Sequence, residues 1–151
     1  MKIKAMVTDP RLHSFGLPEF TTPGSAAIDI RAMLPTNSII LAPGQTCFIS
    51  SGLRLWIDDS NYAGFLLPRS GLGAKEGLVI GNLTGLIDSD YQGDLMIAAW
   101  NRNLDKSITI NHGDRIAQFL IQPVVRFSLD IVDFDKETTR GAGGYGHSGV
   151  K

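Results

Sequence analysis

A single cysteine, Cys47, stands in a chain of 151 residues, so no disulfide within the chain is possible. Cys47 sits in an apolar run with Phe48 and Ile49, the setting of a packed side chain. A catalytic thiol needs a neighbouring base, and the sequence places none beside it. Charge is also scarce: 19% of residues are charged, and the formal net charge is −1. No general field for holding a nucleic-acid backbone results, although local basic residues can still bind a small phosphorylated ligand. No apolar run approaches the roughly 18 residues of a membrane helix, and the start Met1–Met6 has no signal-peptide core. The expected setting is therefore a reducing cytoplasm with no membrane partner. The three histidines, His13, His112 and His147, lack metal-ligand spacing, which argues against zinc. The absence of a G-x-S-x-G elbow argues against a serine hydrolase of that type.

What the chain has in quantity is glycine and short apolar runs. Seventeen glycines and seven prolines punctuate a sequence that is 43% hydrophobic, as expected of one compact all-β domain. Strands are expected at Ile3 to Val7, Ala27 to Ala32, Ile39 to Leu41, Cys47 to Ile49, Leu53 to Ile57 and Ala63 to Leu67. Further strands follow at Leu78 to Ile80, Leu95 to Trp100, Ser107 to Ile110, Ile116 to Ile121 and Val124 to Val132. Ile39–Leu41 and Cys47–Ile49 read as a hairpin closed by Pro43-Gly44. Only Ser70 to Gly77 suits a helix, and a short one. A sandwich, jelly roll or barrel fits this density of strands. There is no repeat and no internal linker. From Arg140 the composition turns glycine-rich, which divides the chain into a core over residues 1–139 and a mobile arm over 140–151.

Four segments carry candidate chemistry. Gly85-Leu86-Ile87-Asp88-Ser89-Asp90-Tyr91-Gln92-Gly93 interleaves apolar residues, two carboxylates and a ring between glycines. It reads as a tight hairpin that forms a concave site, or as a hairpin tip whose acids face water. Pro68-Arg69-Ser70-Gly71-Leu72-Gly73 puts a cation and a hydroxyl at a glycine-bearing turn. That arrangement suits an anion, and equally an N-cap serine beside a surface arginine. In Gly113-Asp114-Arg115-Ile116-Ala117-Gln118, Arg115 and Gln118 are placed to reach a ligand or to make a strand-edge ion pair. The tail segment Gly141-Ala142-Gly143-Gly144-Tyr145-Gly146 matches G-x-G-x-x-G, yet too few residues follow for a βαβ unit. Arg140 and Tyr145 fit better in an arm that folds over a ligand, the ring stacking and the cation meeting negative charge.

Together and in order, these segments resemble the five motifs of the homotrimeric deoxyuridine triphosphatases (dUTP pyrophosphatases), and most closely the bacterial members. The first is Ser25-Ala26-Ala27-Ile28-Asp29-Ile30-Arg31-Ala32. Pro68 to Leu72 is the second, Gly81-Asn82 leading into Gly85–Gly93 the third, Gly113 to Gln118 the fourth, and Arg140 to Gly149 the fifth. The resemblance implies a jelly-roll-like β domain with an exchanged C-terminal arm. It also implies a threefold trimer whose sites draw on several subunits, and a magnesium-dependent hydrolase of nucleotide metabolism. The implied reaction splits dUTP into dUMP and pyrophosphate, which limits uracil in DNA and supplies dUMP for thymidylate. By the same resemblance, Asp88 would deprotonate the water that attacks the α-phosphorus, and Asp29 would hold magnesium through water. Tyr91 would pack against the deoxyribose and exclude a 2′-hydroxyl. Asn82, with backbone groups of Leu86 and Ile87, would read uracil, and Met96 would line the pocket. Arg69, Ser70, Gly71 and Gln118 would bind phosphates, Arg140 the γ-phosphate, and Tyr145 would stack on the base.

Three positions depart from that pattern: Ala27 in place of a glycine, Tyr145 in place of a phenylalanine, and His147 where many members have serine, leaving Ser148 as the nearby hydroxyl. A dCTP deaminase shares the fold but adds a catalytic glutamate, and none lies near Asn82, Asp88 and Tyr91. A ligand-binding scaffold on this fold would be expected to lose Asp88 or the Arg140 arm; both are present.

Overall fold

The computed structural model of the chain describes residues 1–133 together with 138 and 141. The described residues form ten strands: β1 (Lys4–Val7), β2 (Ile28–Arg31), β3 (Ser38–Leu41), β4 (Thr46–Trp56), β5 (Tyr62–Pro68), β6 (Leu78–Ile80), β7 (Gly85–Ile87), β8 (Asp94–Asn101), β9 (Ile108–Asn111) and β10 (Arg115–Pro123). They make two four-stranded sheets, β1-β4-β8-β6 and β2-β10-β5-β7, and a two-stranded ribbon, β3-β9. Every ladder is antiparallel. The all-β expectation holds.

Alternation explains the packing. In β9 Ile108 and Ile110 turn inward between exposed Thr109 and Asn111, and in β10 Ile116, Ala117 and Phe119 are buried across a register shift. Ile30, Leu66, Phe119 and Ile116 from one sheet meet Leu95, Ile97, Leu55 and Ile80 from the other in a single core. A smaller cluster of Leu12, Met33 and Leu53 lies under the 3-10 turn Pro10–Phe15. The glycine and proline signals around Gly16 hid that turn from the sequence reading. Asp9 starts it by accepting the Arg11 N–H, and Pro10 supplies the fixed φ of a first helical residue. The expected short helix at Ser70–Gly77 is present as a wide, π-type turn over Leu72–Glu76 that ends at the left-handed Gly77.

Strand positions were readable, but pairings less so. Cys47–Ile49 and Leu53–Ile57 are one strand, β4, bent at Gly52, whose φ is +72°. A β-bulge between Ser50 and Arg54 accommodates the bend. The Ile39–Cys47 hairpin does not form: β3 pairs with β9, and β4 pairs with β1 and β8. The fully buried Asn101 fixes this outcome. Its side-chain amide donates to the carbonyls of Leu41 (2.9 Å) and Lys106 (2.8 Å), so the turn after β3 is held by β8 and the start of β9. Beyond a bond from the Val124 N–H to the Asn61 carbonyl, the expected strand Val124–Val132 pairs with no strand among the described residues. β10 ends at Pro123, and Val125, Phe127, Leu129 and Ile131 are all more than three-quarters exposed.

Candidate active site

Two groups of site residues form on this framework. The first lies where β2, β10 and β5 run side by side. Gln118 on β10 is opposite Asp29 on β2 and Leu67 on β5, and Ala117 faces Pro68, so the chain leaves β5 into Arg69 and Ser70 beside the same patch. Asp29 is largely buried and meets two guanidinium groups. Arg69 Nε lies 2.9 Å from Oδ1, and Arg115 Nη1 lies 3.1 Å from Oδ2. The Arg69 Nε–H is not aimed along its contact and is otherwise unpartnered, so that pair is held by charge alone. Arg69 also donates from Nη1 to the Arg115 carbonyl at 3.0 Å.

Arg31 is the cross-strand partner of Arg115. Like charges in that register repel. Arg31 is drawn aside: it donates to the carbonyls of Gly113 and Phe15 and sits over the Phe15 ring. Two cations thus meet one carboxylate, with Arg31 lining the same depression, leaving a local positive excess within a chain of net charge −1. Arg69, Ser70, Gly71, Lys75 and Gln118 line an adjoining depression of about 340 Å³, together with Leu72 and with Glu76, whose carboxylate pairs with Lys106. No side chain caps the helical turn there. The capping alternative for Ser70 is therefore not what the chain uses, and its hydroxyl is exposed beside the cations. This surface suits a polyanion such as a phosphate chain. Arg115 makes the strand-edge ion pair that its position had suggested.

The second group gathers around β7. This three-residue strand is the last in its sheet, so one edge of its backbone has no neighbour in that sheet. Unpaired N–H and C=O groups on such an edge can recognise a flat ligand bearing donors and acceptors. Leu86 is exposed and Ile87 half-buried on this edge. Just upstream lies the exposed Asn82, followed by Leu83 in the left-handed region with φ +64°. That turn is tied by Leu83 N–H to Ile80 O (2.9 Å) and by Thr84 N–H to Asn82 O (2.7 Å).

The segment Gly85–Gly93 is not a hairpin. β7 pairs with β5 in one sheet, whereas β8 belongs to the other, so Asp88–Gly93 is a crossing between sheets. A crossing explains why this turn carries apolar residues and a ring where a hairpin tip would be polar. Asp88 is exposed at its start. The Tyr91 hydroxyl donates to the Asp94 carbonyl at 2.9 Å, and a Cβ placed on Gly93 would collide with the Tyr91 ring. Gly93 is required because the ring lies on its backbone. Met96, partly exposed on β8, faces outward nearby in sequence.

The two groups line separate depressions of one chain, on opposite sides of β5. The depression of about 380 Å³ that holds Leu86, Asp88 and Asp90 shares no residue with those holding Asp29, Arg69, Ser70 or Gln118. Arg140, Tyr145, His147 and Ser148 lie outside the described residues, as does the expected boundary between residues 139 and 140. Among the described residues no cluster of three or more histidine, cysteine, aspartate or glutamate side chains could cage a metal. Asp29 is a single carboxylate already facing two arginines. By itself it is no cation cage, so a magnesium ion would have to bring most of its ligands with it as phosphate oxygens and water.

A phosphate-ready patch, an open strand edge and an exposed carboxylate on a sheet crossing coincide with a family assignment. The dUTPase family model matches residues 13–149. The chain belongs to the dUTPase family. It is 53% identical over 148 residues to the deoxyuridine 5'-triphosphate nucleotidohydrolase of Pseudomonas aeruginosa (strain LESB58), covering 97% of each chain. To that of Pseudomonas entomophila (strain L48) it is 52% identical over 150 residues, covering 99% of this chain and 98% of the other. Among solved structures, the dUTPase of Staphylococcus bacteriophage 80alpha with dUpNHpp superposes with a TM-score of 0.84 at 27% identity, covering 99% of each chain. A dUTPase variant from phage phi11 of S. aureus, described with a structural Mg(II) ion, shares the fold at a TM-score of 0.77 and 24% identity, over 90% of this chain and all of the other. No helix among the described residues is long and apolar enough to cross a membrane.

Asp29 as the partner of Arg115, with Arg69 joining it, depends on strand register and could not be read from the motifs one by one. Two residues of this dUTPase site region were not singled out by the sequence: Arg31, held by the carbonyls of Gly113 and Phe15 beside that pair, and Asp58, which lies outside every motif and whose N–H bonds the Ser89 carbonyl.

Proposed function

We propose that this dUTPase hydrolyses dUTP to dUMP and pyrophosphate at sites shared between the subunits of a homotrimer. The observation that carries the reading is the division of the site. One chain holds a cationic phosphate patch and, apart from it, an open strand edge with an exposed carboxylate. A nucleoside triphosphate needs both, and the patch of one subunit can complete the edge of another. The exposed side chains Val125, Phe127, Leu129 and Ile131 support assembly, since they alternate with polar residues as a strand would and nothing among the described residues covers them.

Asp88 accepts the proton of a water whose oxygen attacks the α-phosphorus. The bond between that phosphorus and the oxygen bridging to the β-phosphorus breaks, and pyrophosphate departs with the electron pair. Arg69, Ser70, Gly71 and Gln118 hold the phosphates, so that attack and departure lie in line. Asn82 and the backbone at Leu86 and Ile87 read the uracil edge, beside Met96. Tyr91, fixed at ring and hydroxyl, closes the space a 2′-hydroxyl would need. Asp29 would hold magnesium through water, and the ion would neutralise phosphate charge. Arg140 meets the γ-phosphate, Tyr145 stacks on the base, and Ser148 offers a hydroxyl to phosphate. The enzyme works in the cytoplasm, where it keeps uracil out of DNA and provides dUMP for thymidylate.

The test is pyrophosphate release from dUTP, dTTP, dCTP and UTP, each with and without magnesium. Fast, magnesium-dependent release from dUTP alone is expected; comparable rates for dTTP or UTP would overturn the specificity assignment.

A further inference from the structure

Asp58 lies outside all the motifs, in the turn between β4 and β5. Its φ of +57° makes it, with Leu83, one of two described non-glycine residues in the left-handed region. A Cβ disfavours that conformation, although aspartate tolerates it better than most. From there the Asp58 N–H donates to the carbonyl of Ser89 at 2.9 Å. Ser89 directly follows Asp88, so this bond ties the β4–β5 turn to the crossing one residue past the carboxylate. The Asp58 side chain is held in turn. Its Oδ2 accepts from Lys4 Nζ at 2.6 Å, and that ammonium sits 3.8 Å from the centre of the Trp56 ring. Lys4 and Trp56 are register partners in the β1–β4 ladder.

The crossing is tethered on its other side by Tyr91. Its N–H reaches the Asp88 carbonyl at 3.2 Å, and its hydroxyl binds the backbone of Asp94, whose carboxylate accepts from Arg54 Nε at 2.8 Å. Asp88 itself is exposed. Its place is therefore set by the backbone, between the Asp58 tether and the Tyr91 tether.

We propose that Asp58 is a positioning residue for Asp88, its left-handed backbone aiming an N–H at Ser89 and Lys4 clamping it there. The proposal rests on the reading of Asp88 as the base. Proton abstraction is sensitive to placement: a displacement of about 1 Å can cost up to roughly 10²-fold in rate. An exposed ion pair such as Lys4–Asp58 contributes little by itself. The backbone conformation is the larger part of the device.

The test compares Asp58→Ala, Asp58→Gly and Lys4→Met with Asp88→Asn in the full-length enzyme, reading kcat, KM, melting temperature and amide exchange at Tyr91. Asp58→Ala is expected to lower kcat about tenfold, with KM within about twofold, and to speed exchange at Tyr91. Glycine accepts φ near +57° freely, so Asp58→Gly should return kcat to within about threefold of the parent and restore protection. Lys4→Met should stay within about threefold. Parental kcat and exchange in Asp58→Ala, beside an inactive Asp88→Asn, would overturn the positioning role while leaving the base intact. Equal loss in the alanine and glycine variants, with lowered melting temperatures, would overturn it in favour of a purely structural role. Near-parental turnover in Asp88→Asn would remove the base reading; exchange at Tyr91 then decides alone whether Asp58 holds the crossing. Should Asp58→Ala fail to fold, protection in Asp58→Gly supports the tether and its loss overturns it.

Discussion

Tyr91 is held at both ends, its ring laid on Gly93 and its hydroxyl bonded to the Asp94 carbonyl. A ring so fixed can reject a substrate by shape, because an added hydroxyl cannot push it aside. Tyr91→Ala should therefore erode discrimination against UTP more than against dTTP, whose methyl group is met at the base edge near Asn82 and β7. Equal erosion for both, in competition assays against dUTP, would contradict that division. Asp88 makes a different demand. Its neighbouring backbone bonds set its place, and it shares its depression with Arg126. Asp88→Asn keeps the shape but cannot accept a proton, so turnover should fall by about 10²- to 10⁴-fold while nucleotide binding persists. Single-turnover hydrolysis alongside equilibrium binding of a non-hydrolysable dUTP analogue separates the two effects.

At the scale of the element, β5 shows how tightly the site is tied to the core. A Cβ on Gly64 would fall 2.6 Å from the Phe119 ring, and Gly64 is also the register partner of Ile87 on β7. Gly64→Ala should cost about 1–3 kcal/mol in urea unfolding, since a close-packed core resists an added methyl. Adding Phe119→Leu, which clears the space, should recover part of that loss; no recovery would mean the cost arises in the backbone and not in the ring. The strands were legible because alternation survives in sequence, as in Leu53, Leu55 and Ile57. Partner choice was not. Gly85–Gly93 has the glycines and β-formers of a hairpin, yet its two flanks enter different sheets. Pro43-Gly44 likewise signals a turn without saying which strands it joins, and the deciding group, the amide of Asn101, lies some sixty residues from Leu41. Val125 to Ile131 alternates as a strand should, but nothing in the described chain covers it. The five motifs were readable by their order. The convergence of Asp29, Arg69 and Arg115 was not, because it depends on register between β2 and β10.

For the whole molecule, the separation of the Asp88 crossing from the phosphate patch makes a prediction about mixtures. Deleting residues 140–151 should leave a folded assembly, because the sequence there is too rich in glycine to bury much apolar surface. It should still remove most activity, since Arg140 and Tyr145 are assigned to the γ-phosphate and to stacking over the base. A subunit with the deletion retains its Asp88, and an Asp88→Asn subunit retains its arm. If sites are built across subunits with arms exchanged, co-refolding the two inactive variants creates some sites in which an intact Asp88 meets an intact arm. Activity should then rise well above that of either variant alone. The recovered fraction should follow the mixing ratio and vanish when either variant is in large excess. Native mass spectrometry of the mixture confirms that subunits have exchanged. Mixed trimers with no recovered turnover would mean that each arm closes over the Asp88 of its own chain, and the shared-site reading would fall while the chemistry at Asp88 remained.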